Sequence, residues 1–287
     1  MFTTALNTRS ALPGDRSRLD HLLASAPYLH NHLDWQPPQD WLGKRPFQLA
    51  FVGDKLVGVL AAPPDPPGVS WIRLAAVADG FPVDVVLDPL WAAACESLIE
   101  LQAAQISCMV LEEWLTTLLQ RWGFSFLNEV IVLRRERNPA QPVTVPAATG
   151  IRLRPAKSSD IDALTLVDTT AFAPPWQYSR AVIRQALAQA TLATVAEVGH
   201  EIVGYQISSG GREGGHLARL AVRPDMQGRS IGRALAAQVV EHFERRGAPK
   251  ITVNTQRDNL ASISIYHALG FAITDEHYTV WQRILIR

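Results

Sequence analysis

A chain of 287 residues has room for two domains of the usual size, about 100–200 residues each, and can bury a substantial core either way. With 47% apolar and 19% charged residues it has the balance of a folded, water-facing protein, which excludes a disordered or membrane-embedded class. Basic and acidic residues stand at 27 each, so no net field draws the chain to nucleic acid or to an anionic membrane, and any anion must be held by a local site.

The start, Met1-Phe2-Thr3-Thr4-Ala5, has no basic patch leading into an apolar run, and no stretch is long enough to span a bilayer. Neither a secretion signal nor a membrane partner is expected. Gln48 to Val52 reads as a strand leading into Gly53-Asp54-Lys55-Leu56-Val57-Gly58, a β-hairpin with glycine in its turn. Leu74-Ala75-Ala76-Val77 is a further apolar strand, and the stripe Leu90, Ala94, Leu98, Leu101 predicts a core helix. Cys95 and Cys108 lie in apolar stretches without Cys or His at metal-ligand spacing. They read as buried thiols, so no metal site is expected, and a reducing, cytoplasmic setting fits. Trp122-Gly123-Phe124 closes a helical pattern and opens a strand-rich tail. Three prolines in Asn138-Pro139-Ala140-Gln141-Pro142-Val143-Thr144-Val145-Pro146 favour an extended connector, which places a linker at 138–150 between domains 1–137 and 151–287.

The second half opens with a strand at Ile151 to Arg154, a helix over Ser159 to Ala171 capped by Ser158 or Ser159, and a helix over Ser179 to Gln189. Phe172-Ala173-Pro174-Pro175-Trp176-Gln177-Tyr178 joins these helices as a rigid loop, either a binding wall or aromatics closing the core edge. Thr191 to Val198 and Ile202 to Ser209 form a hairpin around Gly199-His200-Glu201-Ile202-Val203-Gly204, which repeats the first hairpin 146 positions later. Leu217 to Val222 is an apolar strand ending at Arg223-Pro224. Beyond the turn Gln227-Gly228-Arg229-Ser230-Ile231-Gly232, an amphipathic helix is predicted by Ile231, Leu235, Val239 and Phe243. Ile251 to Val253 is a short strand and Leu260 to Leu269 a helix. Phe271 to Ile286 reads as a closing pair of strands, and Leu269-Gly270-Phe271 repeats Trp122-Gly123-Phe124 at nearly the same offset.

A strand feeding a glycine-containing turn that opens a helix is an anion site, because the first helical turn leaves backbone N–H groups unpaired and the peptide dipoles add positive charge. Gly228 lets backbone approach a ligand oxygen, Gly232 lets the helix start pack closely, and Arg229 and Arg233 add full charges. The spacing matches neither the dinucleotide fingerprint nor a nucleoside-triphosphate loop.

It resembles instead the Gln/Arg-x-x-Gly-x-Gly/Ala motif of the general-control-related N-acetyltransferase (GNAT) superfamily, with Gln227 first and Gly232 last. A second segment is similar to the same family: Asn259 begins a helix, and Tyr266 precedes Gly270-Phe271 by four residues. The resemblance implies an α/β fold of two tandem GNAT-like domains, each a mixed, mostly antiparallel sheet flanked by helices. It implies acetyl-CoA as co-substrate without a metal. Leu220, Ala221 and Val222 would pair with the pantetheine arm, residues Gln227, Gly228, Arg229, Ser230, Ile231, Gly232 and Arg233 would hold the pyrophosphate, and Asn259 would lie against the same ligand. Tyr266 would protonate the departing thiolate. The acceptor would be a primary amine of a small molecule or a protein N-terminus; the Phe172 to Tyr178 loop is similar to one bordering the acceptor channel in acetyltransferases of ribosomal-protein N-termini. Two positions depart from the pattern. Ser230 stands where the family has its first glycine, with a hydroxyl able to donate to a phosphate oxygen or to cap the helix. Asn254 stands where many relatives carry a glutamate base, which leaves as base either an ordered water chain or His216, the nearest titratable group on the preceding strand. Both departures favour the alternative of a non-catalytic acyl-CoA sensor.

The first half is expected to be a degenerate copy. Leu119 replaces the tyrosine, and Asp79 to Pro89 replaces the glycine turn, with Asp84 and Asp88 at a helix start where they would repel a diphosphate.

Overall fold

The computed structural model describes residues 5–138, 143, 145 and 150–285. They form two compact units, Met1–Asn128 with Tyr278–Arg287, and Glu129–His277. In chain order the first unit holds β1 (Leu6–Ser10), α1 (Arg16–Ser25), β2 (Tyr28–Asn31), β3 (Phe47–Val52), β4 (Lys55–Ala61), β5 (Val69–Trp71), β6 (Leu74–Val77), α2 (Val83–Glu100), β7 (Gln105–Met109) and α3 (Trp114–Arg121). Strand β8 (Ser125–Glu136) leads out of it. The second unit continues with β9 (Arg152–Pro155), α4 (Ile161–Ala171), α5 (Arg180–Gln189), β10 (Leu192–Val198), β11 (Glu201–Gly211), β12 (Gly214–Val222), α6 (Ile231–Arg245), β13 (Lys250–Gln256) and α7 (Leu260–Ala268), and β14 (Ala272–Ile284) ends the chain.

The units do not part at the proline tract. From Val130 to Glu136, β8 pairs antiparallel with β13 inside the second unit, while β14 from Val280 to Ile284 pairs with β7 inside the first. The tail read as two strands is therefore one strand. A division at 138–150 separates the repeats along the chain but cannot register pairings between residues so distant in sequence. Within that tract 139–142, 144 and 146–149 lie outside the described residues, as does Ile286, and Val143 and Val145 pack on the second core.

The repeat recurs in hydrogen-bond register. Val69–Trp71 pair in parallel with Gln105–Ser107, and Gly215–Leu217 pair in parallel with Ile251–Val253, 146 positions later on both strands. The β3–β4 hairpin carries an irregularity between Ala50 and Phe51, and the β10–β11 hairpin carries one between Ala196 and Glu197 at the same offset. Two such coincidences need a common fold.

Each unit packs a long helix on its sheet, as the apolar stripes require. Val86, Leu87, Leu90, Ala94 and Leu98 of α2 are buried in the first core; Val239, Val240 and Phe243 of α6 are buried in the second. The stripe ends sooner than expected, because Leu101 is the exposed C-cap of α2. Helix α4 begins after a short turn at Ser158–Asp160, and neither serine caps it: Asp160 accepts from the Lys157 amide and from Arg154 instead. Cys108 is buried, and burial pushes its thiol up, whereas Cys95 is only half-buried.

Candidate active site

The C-terminal end of β12 separates from its neighbour. Its parallel pairing with β13 stops at Leu217 opposite Val253, while its antiparallel pairing with β11 continues to Val222 opposite Gly204. A register shift between Ile207 and Ser208 leaves Ala218 extra on β12, and such a bulge bends a strand away from its partner. Ala218 to Val222 thus keep one edge with no strand partner among the described residues. The side chain of Leu220 is half-buried, Ala221 and Val222 are buried, and what these three offer to a ligand is backbone.

The strand then turns through Pro224–Met226 into the expected glycine loop. Gln227 is exposed, and its Nε2 donates to the Val222 carbonyl at 3.1 Å and closes the turn. Gly228 has φ +76° and Ser230 φ +61°, both left-handed. None of the backbone amides from Gly228 to Arg233 meets a backbone acceptor among the described residues. They open a 15-residue helix whose dipole adds positive charge at this end. Ile231 is buried against Val203, Val222, Met226 and Leu235, so its contribution is likewise its amide. Arg229 and Arg233 are exposed beside the turn. The one acid on it, Asp225, is held by Arg223 at 2.6 Å, which keeps its carboxyl below the usual range and occupied.

Ser230 makes no side-chain hydrogen bond to the helix, so the expected hydroxyl cap is not formed. A left-handed residue points its hydroxyl away from the amides an N-cap would reach. The conformation explains why glycine suits this position: a Cβ costs about 1–2 kcal/mol there, against about 0.5–1 kcal/mol of extra unfolded-chain entropy for glycine. Ser230→Gly is therefore expected to stabilise the chain by about 0.5–1 kcal/mol in urea denaturation. Gly232 has a different reason. A Cβ there would lie 3.2 Å from Ile265 Cδ1, so glycine lets the start of α6 sit against α7.

On α7, Asn259 is the N-cap, its Oδ1 accepting from the Ser262 amide at 3.2 Å. Its side-chain oxygen is committed to the helix, and its amide nitrogen is what a ligand could use. Tyr266 is 3% exposed, packs its ring 5.8 Å from that of Phe271, and has Ser262 as hydrogen-bond partner one turn earlier. Burial pushes its phenol well above the ordinary value, so the group holds its proton throughout the physiological range.

His216 lies on β12 opposite Thr252, its Nδ1 2.9 Å from the threonine Oγ1. Burial lowers its pKa from 6.5, and the charge of Glu276 opposes that shift. Alternation along β13 puts Asn254 on the same face as Thr252.

One cluster escaped the sequence reading. Asp168 of α4 is fully buried and accepts from Arg219 Nε and Nη2, both at 2.8 Å, from Tyr205 Oη at 2.5 Å and from the Tyr178 amide at 2.6 Å. The Arg219 guanidinium also donates to the Trp176 carbonyl at 2.7 Å and lies 3.7 and 3.9 Å from the ring centroids of Phe172 and Tyr178. The aromatic loop is thereby fixed to the strand that carries Leu220. The signal was in the chain: Arg219-Leu220-Ala221 repeats Arg73-Leu74-Ala75 after 146 residues, with an arginine inside an apolar strand each time.

The model of the acetyltransferase (GNAT) family matches residues 161–271, from the start of α4 through the turn and α7 to Phe271. An acetyltransferase from Sodalis glossinidius is 32% identical over 127 residues, 43% of this chain and 88% of its own length. The chain belongs to the GNAT acetyltransferase family. The likeness reaches beyond the second unit. A mycothiol acetyltransferase from a Nocardioides species is 27% identical over 253 residues, covering 75% of this chain and 85% of that one. A tandem GNAT protein from the clavulanic acid biosynthesis pathway has the same fold with a TM-score of 0.65 at 15% identity, covering 99% of both chains. The fold is thus α/β, a tandem of GNAT sheets flanked by helices. Among the described residues no helix is long and apolar enough to cross a membrane, and no group of His, Cys, Asp and Glu could hold a metal.

Proposed function

We propose that the second unit transfers an acetyl group from acetyl-CoA to a primary amine. The observation that carries this is the conjunction, among the described residues, of a backbone edge at Ala218 to Val222 with no strand partner and six consecutive amides, Gly228 to Arg233, with no backbone acceptor. The first suits an amide-bearing arm and the second a diphosphate. The donor supplies an activated acyl thioester. The residues Leu220, Ala221 and Val222 align it through backbone, and Gly228 to Arg233 hold its phosphates. Tyr266, kept protonated by burial, donates to the sulfur as the carbon–sulfur bond breaks. His216 takes the amine's proton on Nε2, its Nδ1 being engaged by Thr252, and exchange with solvent restores both groups. Asn259 supports the site by fixing the start of α7.

The acceptor is a small amine or a peptide N-terminus reaching the face bordered by the Phe172 to Tyr178 loop. The likeness to a mycothiol acetyltransferase makes the unacetylated precursor of mycothiol the first amine to test. Free CoA thiol released with that amine, with N-terminal peptides and with simple polyamines discriminates among them. A second reading, a sensor that binds acyl-CoA without turnover, is favoured by the left-handed Ser230 and by Asn254, which cannot accept a proton at neutral pH. Binding without thiol release from any amine would select it.

Two further outcomes are expected. Gly228→Asp brings a carboxylate to the phosphate turn and a side chain to φ +76°. Repulsion of about 1–4 kcal/mol near a surface weakens acetyl-CoA binding roughly 5- to 1,000-fold in calorimetry. An unchanged affinity would move the phosphates elsewhere. For pH, a base must be deprotonated, and the pKa of His216 lies below 6.5. The transfer rate should therefore be level through neutrality and fall only as pH drops below that ordinary value. His216→Gln should abolish this acid limb; a limb that survives the substitution belongs to another group.

A further inference from the structure

The first unit has the same fork, and its own chain lies in it. Its β5–β6 segment corresponds to β12, and its parallel pairing with β7 stops at Trp71 opposite Ser107, as that of β12 stops at Leu217 opposite Val253. Past this point β6 keeps β4 on one side, matching β11 in the second unit. On the other side lies β2, antiparallel, with Tyr28 opposite Val77, Leu29 opposite Ala76, His30 opposite Ala75 and Asn31 opposite Leu74. That is the edge which in β12 has no strand partner. At the vertex of the fork His30 is fully buried, its Nε2 3.1 Å from the Ile72 carbonyl and 3.8 Å from Cys108 Sγ on β7. Residues Leu74 to Val77 are all buried, whereas Leu220, the counterpart of Leu74, is only half-buried.

The segment that fills the first fork has a counterpart. Shifted by 146 residues, Tyr28-Leu29-His30-Asn31 falls on Pro174-Pro175-Trp176-Gln177, which follows the equivalent helix. Two prolines in that stretch have no N–H to donate to a ladder, so the second copy cannot lay the same strand on its edge. Its loop is bound instead to Arg219 and to the buried Asp168. Arg73, the counterpart of Arg219, pairs with Asp34, just beyond the inserted strand.

We infer that Tyr28–Asn31 is an internal occupant of the first unit's fork, in the place where the second unit takes the pantetheine arm of acyl-CoA. The first unit accordingly takes no acyl-CoA, and the residues that decide which copy loads are Tyr28–Asn31 in one and Pro174–Pro175 in the other. The second half of this statement rests on the function proposed above; the occupied fork does not. Hydrogen exchange on the full chain, with and without acetyl-CoA, tests both together with calorimetric stoichiometry. The expected result is slow exchange at those Leu74–Val77 amides that face β2 before any ligand is added, new protection only around Leu220–Val222 and Gly228–Gly232 on addition, and one equivalent bound. Gly228→Asp should bring no binding to light in the first unit. Two equivalents, ligand-induced protection at Leu74–Val77, or fast exchange there without ligand would each overturn the inference. Absence of any binding with slow exchange at Leu74–Val77 would uphold the occupied fork and sink the cofactor reading instead.

Discussion

Tyr266→Phe is expected to lower acetyl transfer by about 10²- to 10⁴-fold, the usual contribution of a positioned acid, while leaving acetyl-CoA affinity nearly unchanged. Phenylalanine preserves the ring that packs against Phe271 and the second core, so the fold loses one hydroxyl and its bond to Ser262, about 1 kcal/mol. The two effects separate because the proton is needed only when the thiolate leaves, whereas binding draws on the strand edge and the phosphate turn. Single-turnover rates beside calorimetry check this. Equal losses of rate and affinity, tracking a fall in stability, would make Tyr266 a packing residue.

Asp168→Ala is expected to destabilise the second unit by about 3–5 kcal/mol in urea denaturation, because it strands a buried guanidinium. Arg219 would keep the Trp176 carbonyl and two aromatic faces, but no counter-charge, and Tyr205 Oη and the Tyr178 amide would lose their acceptor. Replacing the acid and the arginine together by apolar residues of similar size should cost less than the single change, since no charge is then left unpaired. A single-mutant loss below about 1 kcal/mol, the range of an exposed pair, would mean that water reaches Arg219 in the folded state.

How much of this the chain discloses depends on the range of the interaction. The hairpins at Gly53 and Gly199 and the helix at Ile231 are local, and periodicity with turn residues suffices to find them. The glycine at 232 was legible as close packing, although not its partner Ile265. Pairings across long separations were not legible: β8 joins β13, β14 joins β7, and β2 enters the first fork. Nothing in Tyr28-Leu29-His30-Asn31 distinguishes a strand that fills a fork from any short edge strand. Asn259 and Ser230 show a second limit. Residue type suggested a ligand contact for one and a cap for the other, and the backbone reversed the capping role: Asn259 caps its helix, and Ser230 sits left-handed and does not. Arg219 could have been found from its repeat at Arg73, but only by weighting a charge within an apolar strand as heavily as a glycine.

The central claim is that coenzyme A lies with its diphosphate on the α6 turn and its pantetheine along β12. A crystal structure of the chain with coenzyme A measures this directly. The expected density places phosphate oxygens within hydrogen-bond reach of the Gly228 to Gly232 amides and pantetheine amides paired with Leu220 to Val222, leaving β2 in its fork. Coenzyme A bound away from this turn, or bound in the first unit with β2 displaced, would contradict it.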